Sequence, residues 1–185
     1  MPITLITTIQ GKEHTAMEEI PDCLYRFDEN VRVEAAPFKG VLKVYTSIPS
    51  REAARIIASC WTSHVVRIVP LDIVVEASLP RIVEEVVKLA REKRLSKETV
   101  AVKCTRRGGR LRSSKEVEEE VGAALKNSLR LKVNLSNPDV LVRIEVLGDE
   151  AGIALLSRED LKPPRRVWPP YLYQVDEGGQ GGYAE

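Results

Sequence analysis

The sequence predicts an α/β protein of the α+β type, built from two domains and a tail. Two observations predict this class. Strand-like and helix-like hydrophobic patterns succeed one another as β-α-β-β-α-β over residues 1–75, and a different strand-and-helix pattern follows over residues 76–160. The first pattern is typical of a ferredoxin-like domain. Residues 161–185 are rich in proline and glycine, which predicts a tail without a core of its own.

The elements of the first domain follow from short β-branched runs and from helical spacing of apolar residues. Four strands are predicted, at residues 3–9, 31–36, 41–46 and 65–75. Two helices are predicted at residues 15–27 and 50–60. Pro21 should break or bend the first helix, because proline lacks the backbone N–H that a helix interior requires. Ser50 can cap the second helix.

The second domain begins with a strongly amphipathic helix over residues 79–94. Strands are predicted at residues 99–105, 140–146 and 152–156, the last two as a hairpin. A further helix is expected to start at Ser113, because Ser113 and Glu116 have the spacing of a capping box. The turn Asn137-Pro138-Asp139 is interpreted as structural, with an aspartate that can accept hydrogen bonds from backbone N–H groups.

Charge is balanced over the whole chain but not along it. The net charge is only +1, with 28 Lys and Arg against 27 Asp and Glu, which excludes a general polycation. The stretch from Lys103 to Lys115, however, contains six basic residues and no acidic one. This run leads from a strand through Gly108-Gly109 to the start of a helix, where the dipole disfavours cations.

This basic run is therefore a candidate anion-binding site rather than an ordinary solvated loop. Arginine forks match phosphate oxygens, and the free backbone N–H groups of a helix start add further donors. The predicted phosphate contacts are Lys103, Arg106, Arg107, Arg110, Arg112 and Lys115, with Thr105, Ser113 and Ser114 as secondary contacts. Arg106 and Arg107 are expected to be exposed, in a loop that buries little.

The three cysteines, Cys23, Cys60 and Cys104, are too few and too scattered to indicate a disulfide framework. Cys60 and His64 are four residues apart, but no further ligands lie nearby, so no metal site is predicted. No signal peptide is evident, and no apolar run approaches the ~18–20 residues that span a bilayer. These features together predict a protein of the reducing cytoplasm with no membrane partner.

Several short pieces of the second domain match a known family in order and spacing. They are Val100–Gly108, Ser113-Ser114 with Glu116-Val117, Val121-Gly122, Val133-Asn134-Leu135, Asn137-Pro138-Asp139, Ile144-Glu145-Val146 and Ala151-Gly152-Ile153. Residues 79–156 thereby resemble the THUMP domain of tRNA-modifying enzymes and adaptors. The resemblance implies an α/β module preceded by a ferredoxin-like domain, which agrees with the pattern of residues 1–75. It also implies binding to the acceptor end of tRNA.

No motif of the catalytic domains that accompany THUMP domains is present. The sequence lacks a glycine-rich SAM loop, a phosphate loop, a pyrophosphatase-type Ser-Gly-Gly motif and a zinc-deaminase ligand set. The two histidines, His14 and His64, have no evident nucleophile partner. We therefore expect a non-enzymatic protein without a cofactor.

The expected function is tRNA binding, as an adaptor that presents tRNA to a separate modifying enzyme. Among stand-alone THUMP proteins the chain is similar to the adaptor of tRNA cytidine acetylation, although an orphan tRNA-binding protein would look the same. A second hypothesis is a protein-interaction subunit whose basic loop docks an acidic partner without contacting RNA, which the 5% aromatic content leaves open. A third is a catalytic subunit separated from its partner domain.

Overall fold

A computed structural model describes residues 3–162, which form two sheets and five helices. The strands are β1 (Ile3–Thr8), β2 (Arg32–Ala35), β3 (Val41–Tyr45), β4 (Val65–Leu71), β5 (Ile73–Glu76), β6 (Thr99–Arg107), β7 (Lys132–Val133), β8 (Val140–Leu147) and β9 (Glu150–Ser157). The helices are α1 (Glu13–Leu24), α2 (Ser50–Ser59), α3 (Leu79–Glu92), α4 (Ser114–Leu129) and α5 (Arg158–Leu161). The predicted α/β class is confirmed. Nearly all of the predicted tail, including the aromatic residues Trp168, Tyr171 and Tyr173, lies outside the described residues.

The first domain is an antiparallel sheet in the order β2-β3-β1-β4, with α1 and α2 against one face. Fully buried aliphatic side chains join the sheet to the helices, namely Ile6, Ile20, Leu24, Leu42, Val44 and Ile57. The predicted β-α-β-β-α-β order is therefore present.

Two local expectations in this domain change: of the two outcomes predicted at Pro21 the break does not occur, and the predicted cap by Ser50 does not form. Helix α1 does not break at Pro21 but continues through it to Leu24, because Ile20 and Leu24 on either side are fully buried in the core. Burial of the apolar face outweighs the one hydrogen bond that proline removes. Ser50 does not cap α2, since its hydroxyl instead donates to the Leu71 carbonyl at 2.9 Å and fixes the helix start to β4.

The cysteine interpretation also requires correction, because Cys23 and Cys60 form a disulfide across α1 and α2. The 37 residues between them hide the proximity, which arises only when the two helices pack on the same sheet. The disulfide excludes Cys60 as a metal ligand, and the cysteines no longer indicate a reducing compartment. Cys104 is the remaining thiol and is half-buried.

The second domain is a five-stranded mixed sheet in the order β5-β9-β8-β6-β7, covered on one face by α3 and α4. Strands β6 and β8 are parallel, whereas β8 and β9 form the predicted antiparallel hairpin. Its core contains Ile82, Val86, Val121, Leu125, Ile144 and Ile153, all fully buried. The two-residue strand β7 and the short helix α5 were not predicted, since neither carries a hydrophobic period of its own.

The segment predicted as one strand, residues 65–75, is divided between the two sheets at Asp72. The Asp72 N–H donates to the Ile153 carbonyl at 2.8 Å, and its Oδ2 accepts from the Leu155 N–H at 2.7 Å. The carboxylate also pairs with Arg51 of α2 at 2.5 Å and with Lys93 at 3.1 Å, just beyond α3. One side chain thus joins elements of both domains.

The sheets pack against each other through the faces that their helices leave open. The first sheet contributes Leu5, Val69 and Leu71, and the second contributes Leu147 and Leu156 to one buried cluster. Gly152 permits the closest approach, because a Cβ there would lie 2.6 Å from a methyl carbon of Leu71. The result is a four-layer arrangement, helices–sheet–sheet–helices, in which the two domains share a core.

Replacement of Asp72 tests this junction. Asp72→Ala should lower the free energy of unfolding by about 2–3 kcal/mol, because the Leu155 N–H loses its carboxylate acceptor and the partly buried Arg51 guanidinium keeps only its bonds to Asp160 and the Leu155 carbonyl. Urea unfolding measures the change. Asp22→Ala, an exposed position on α1, is the control and should stay within about 0.5 kcal/mol of the parent. Equal effects of the two substitutions would contradict the proposed role of the junction.

Asp28 provides a pH-dependent test within the first domain. Its carboxylate accepts from the Thr46 hydroxyl at 2.6 Å, the Ser47 N–H at 2.7 Å and the Asn30 N–H at 2.9 Å, which lowers the pKa of Asp28 to about 2. The folded pKa is below the unfolded one, so this stability is present above about pH 4 and is lost as the pH falls towards 2. Asp28→Asn should therefore reduce the slope of stability against pH in that range. If urea unfolding shows that the variant loses stability between about pH 4 and pH 2 as steeply as the parent does, this contribution of Asp28 is excluded.

Candidate nucleic-acid interface

The basic run occupies the end of β6, the loop at residues 108–113 and the start of α4. Five of its six cationic side chains are exposed, namely Lys103, Arg106, Arg110, Arg112 and Lys115. We refer to these five residues as the basic loop surface. Lys115 makes a 3.6 Å pair with Glu119 between two largely exposed side chains, which solvent screening weakens.

The loop that carries this surface is held by packing rather than left free. Gly109 has a φ of +83°, and a Cβ there would lie 2.1 Å from the Gly148 carbonyl oxygen, so no larger residue fits. The Gly148 N–H donates to the Arg107 carbonyl at 2.9 Å. Phe38, from the β2–β3 connection of the first domain, lies beside Gly108. Both domains therefore determine where the arginines of the loop are presented.

The start of α4 is capped by one half of the predicted capping box. The Ser113 hydroxyl accepts from the Glu116 N–H at 3.0 Å, with no reciprocal bond from the Glu116 side chain among the described residues. Ser114 is half-buried, and its side chain hydrogen-bonds to the Cys104 thiol. The N–H groups of Ser114 and Lys115 have no partner within the helix, because they belong to its first turn. They remain available to an anion.

Arg107 was predicted to be exposed, and the structure contradicts this. Its Nη1 lies 2.9 Å from Oε2 of Glu145, its side chain is only 23% exposed, and the Glu145 side chain is fully buried. Alternation along β6 explains this, because Arg106 and Arg107 point to opposite faces of the sheet. Arg107 shares its face with Thr105, whose hydroxyl accepts from Arg143 at 2.6 Å. Alternation predicts that Arg106 and Arg107 lie on opposite faces, but Val100, Ala101 and Val102 are all buried, so the sequence of β6 does not show which arginine is the more buried one.

Sequence reasoning missed the cluster around Glu145. Its carboxylate accepts from Arg143 at 2.7 Å on the same strand and pairs with Arg67 of β4 at 3.2 Å, in addition to Arg107. Arg67 belongs to the first domain, so the cluster lies between the two sheets. The available signal was the pair Arg143 and Glu145 on one face of a strand whose other residues are apolar. No sequence signal connects Arg67 to them.

In the cluster around Glu145, burial and repulsion between the neighbouring guanidinium groups both affect the pKa of Arg67. Burial lowers the pKa of Arg67, and the neighbouring Arg143 and Arg107 lower it further, while Glu145 opposes the shift. Burial likewise raises the pKa of the Cys104 thiol, although the Ser114 hydrogen bond opposes this. A thiol with a raised pKa is a poor nucleophile at neutral pH, so Cys104 is not arranged for covalent catalysis.

Asp139 has the predicted structural role of accepting hydrogen bonds from the backbone, but its partner, Thr99, is distant in sequence. Its Oδ2 accepts from both the N–H and the hydroxyl of Thr99 at 2.8 Å, which joins the start of β8 to the start of β6. Its Oδ1 also pairs with Arg158 of α5 at 3.0 Å. The Asn137-Pro138-Asp139 turn thus sets the register of the parallel strands that carry the basic residues.

The described part of the chain offers few other groups that could bind a metal or take part in catalysis. Within residues 3–162 no three His, Cys, Asp or Glu side chains converge as a metal site would require. His14 is exposed beside Glu18 on α1, away from any nucleophile of the basic run. Among the helices described, none has the length and apolar character needed to cross a bilayer.

The geometry described above coincides with a known domain. Residues 76–156 match the sequence model of the THUMP domain. The chain contains a THUMP domain. The matched residues run from the last residue of β5 through α3, β6, α4, β7 and β8 to most of β9, and they therefore include the whole basic loop surface.

Relatives share this domain within longer proteins. A tRNA sulfurtransferase from Vibrio vulnificus (strain YJ016) is 37% identical over 81 residues, which are 43% of this chain and 17% of the relative. A second strain of the same species, CMCP6, carries a sulfurtransferase with the same values. The chain thus spans less than a fifth of the curated relatives that it matches.

Solved structures show the same fold across both domains. The protein PH1313 from Pyrococcus horikoshii has a TM-score of 0.67 at 24% identity, covering 84% of this chain and 54% of its own. TrmN from Thermus thermophilus has a TM-score of 0.56 at 22% identity, covering 83% of this chain and 45% of its own. A 4-thiouridine synthetase in complex with RNA and ATP has a TM-score of 0.58 at 15% identity, covering 84% and 41%. At these identities the likeness concerns the fold alone.

The different environments of Arg106 and Arg107 predict different mutational effects. Arg107→Ala should cost about 1–2 kcal/mol of stability, because the buried Glu145 carboxylate loses one of its three cationic partners. Arg106→Ala should cost less than about 0.5 kcal/mol, as do most exposed positions. Thermal melts of the two variants compare neighbouring residues of the same type. A larger loss for Arg106→Ala would contradict the assignment of faces on β6.

Proposed function

We propose that this protein binds tRNA through the basic loop surface. The observation that carries the proposal is the set of five exposed cations, without an intervening acid, that runs from the end of β6 to the start of α4 across a loop held in place by both domains. Guanidinium groups bind phosphate oxygens in a fork geometry, and the first-turn N–H groups of α4 provide further donors. Because the loop is packed against Gly148 and Phe38, little conformational entropy is lost when RNA orders it.

The names of the relatives support RNA as the ligand. The matching segment belongs to tRNA sulfurtransferases, and one structure of the same fold is a 4-thiouridine synthetase bound to RNA. A domain shared by proteins with different chemistries supplies a common step, and recognition of the tRNA substrate is that step. In this proposal the protein contacts the acceptor end of tRNA, as its resemblance to the family implies.

We further propose that the protein acts as an adaptor rather than as an enzyme. The described residues present a raised-pKa thiol and two histidines without nucleophile partners, and the sequence lacks the cofactor motifs of the associated enzymes. The adaptor would deliver tRNA to a separate modifying enzyme, with a cytidine acetyltransferase as the partner that the resemblance implies. It would act in the cytoplasm, and the Cys23–Cys60 disulfide is compatible with that compartment because intracellular proteins of hyperthermophiles contain disulfides.

A second candidate function, docking of a protein partner, is favoured by one specific observation. An apolar groove of about 380 Å³ lies between α4 and the β6–β7 edge, and it is lined in part by Val100, Val102, Val133 and Leu135. Val133 is 51% exposed and Leu135 is 69% exposed. Exposed apolar side chains at a sheet edge are typical of interaction surfaces. Under this alternative, the neighbouring basic loop surface would contact acidic groups of the partner.

Salt dependence separates the two candidates. Neutralisation of about five phosphates predicts a slope of log K against log salt of about −4, because each contact releases condensed counterions. The triple variant Arg106→Ala, Arg110→Ala, Arg112→Ala should reduce the magnitude of that slope by about two to three units and weaken all tRNA sequences alike. Filter binding over a salt series measures both quantities.

The control for this experiment is Arg32→Ala, which removes an exposed arginine from the edge of the first sheet and should leave the slope unchanged. Equal affinity for tRNA and for an acidic polypeptide, or a wild-type slope near zero, would contradict direct RNA recognition. Either result would favour the protein-docking function.

A further inference from the structure

The cluster around Glu145, between the two sheets, contains more positive charge than the Glu145 carboxylate can neutralise. Arg67, Arg107 and Arg143 all contact the fully buried Glu145, which leaves an excess of two positive charges among partly buried groups. Lys43 and Glu150, which line the same small cavity as Glu145, pair with each other and add no net charge. Guanidinium groups remain protonated in proteins, so deprotonation does not relieve the excess.

The cluster is also open to a ligand and incompletely hydrogen-bonded. The Arg67 side chain is 41% exposed and that of Arg107 is 23% exposed, so solvent reaches both. The Nε of Arg67, although itself buried, has no hydrogen-bond partner among the described residues. Lys103 stands beside Arg143 in the register of β6 and β8 and shares its sheet face. An anion entering here would meet guanidinium donors from both domains.

We propose that Arg67, Arg107 and Arg143 form a subsite for a phosphate monoester, and that the ligand is the 5′-terminal phosphate of the bound RNA. The inference rests on the proposed tRNA-binding function and adds a specific recognition element to it. A phosphate monoester carries close to two negative charges at neutral pH and three acceptor oxygens, whereas a backbone diester carries one charge. The monoester therefore matches the charge excess of the cluster.

The position of the cluster agrees with this ligand. Arg107 is the last residue of β6 and leads directly into the basic loop surface. The RNA chain that follows a 5′ phosphate bound at the cluster would therefore continue onto that surface. Since Arg67 comes from β4, the subsite is complete only when both domains are in place. It would thus distinguish a mature RNA end from internal backbone.

Two acceptor-stem RNAs that differ only at the 5′ end, phosphate or hydroxyl, test the proposal. Wild-type protein should bind the 5′-phosphate RNA about tenfold more tightly at low salt, as expected for a few charge-assisted hydrogen bonds. Arg67→Gln should abolish this preference while leaving the affinity for the 5′-hydroxyl RNA within about twofold. Arg67→Lys keeps the positive charge but loses the bidentate geometry of the guanidinium, so it should retain only part of the preference for the 5′-phosphate RNA. Arg32→Gln, a substitution of the same type on the edge strand β2, should keep it in full.

The outcomes separate failure of the subsite from failure of the proposed function. Equal wild-type affinity for the two RNAs would overturn the subsite and leave tRNA binding intact, whereas no binding of either RNA would overturn both. Inorganic phosphate serves as a competitor and should remove only the 5′-phosphate advantage. A third outcome is that inorganic phosphate raises the melting temperature of wild type but not of Arg67→Gln, while the two RNAs bind equally well. The ligand of the cluster would then be a free phosphate compound, and its assignment to an RNA end would be wrong. Melting curves establish that each variant is folded.

Discussion

Asp72 lies where the chain leaves one sheet and enters the other, and the rest of the structure depends on how this position is held. Its backbone N–H and its carboxylate both bond to β9, while Arg51 and Lys93 reach the same carboxylate from α2 and from the end of α3. A desolvated carboxylate is costly unless it is paired, and these contacts keep the pKa of Asp72 below its usual value despite burial. The junction fixes the two sheets face to face.

That arrangement explains why the basic residues form a surface rather than a flexible run. Phe38 from the first domain supports the loop at Gly108, and Arg67 from the first domain completes the cluster at Glu145. Neither contact exists within the THUMP domain alone. The fold likeness to solved structures likewise extends over 84% of the chain and includes both domains. Arg107 therefore has a structural role through Glu145 and, in the proposed subsite, would also contact the ligand.

Much of this architecture could be predicted from the sequence, because local periodicity determines local structure. Most strands and helices of both domains follow from apolar spacing, except β7, α5 and the division of β4 from β5, and the role of Asp139 follows from turn chemistry. What could not be predicted depends on contacts between distant residues. The disulfide between Cys23 and Cys60 and the pairing of Arg67 with Glu145 both require knowledge of which elements pack together. Strand alternation places Arg106 and Arg107 on opposite faces, but Arg107 is the more buried one because of its contact with Glu145 on another strand, which the sequence of β6 does not show.

The central claim is that both domains present one continuous RNA-binding surface, and hydrogen–deuterium exchange with and without tRNA tests it most directly. The account predicts that tRNA slows exchange in peptides from β4, around Arg67, together with peptides covering residues 103–115. Peptides from β2, at the far edge of the first sheet, should be unaffected and serve as the internal reference. Protection confined to the groove between α4 and β7, or to one domain only, would contradict the account.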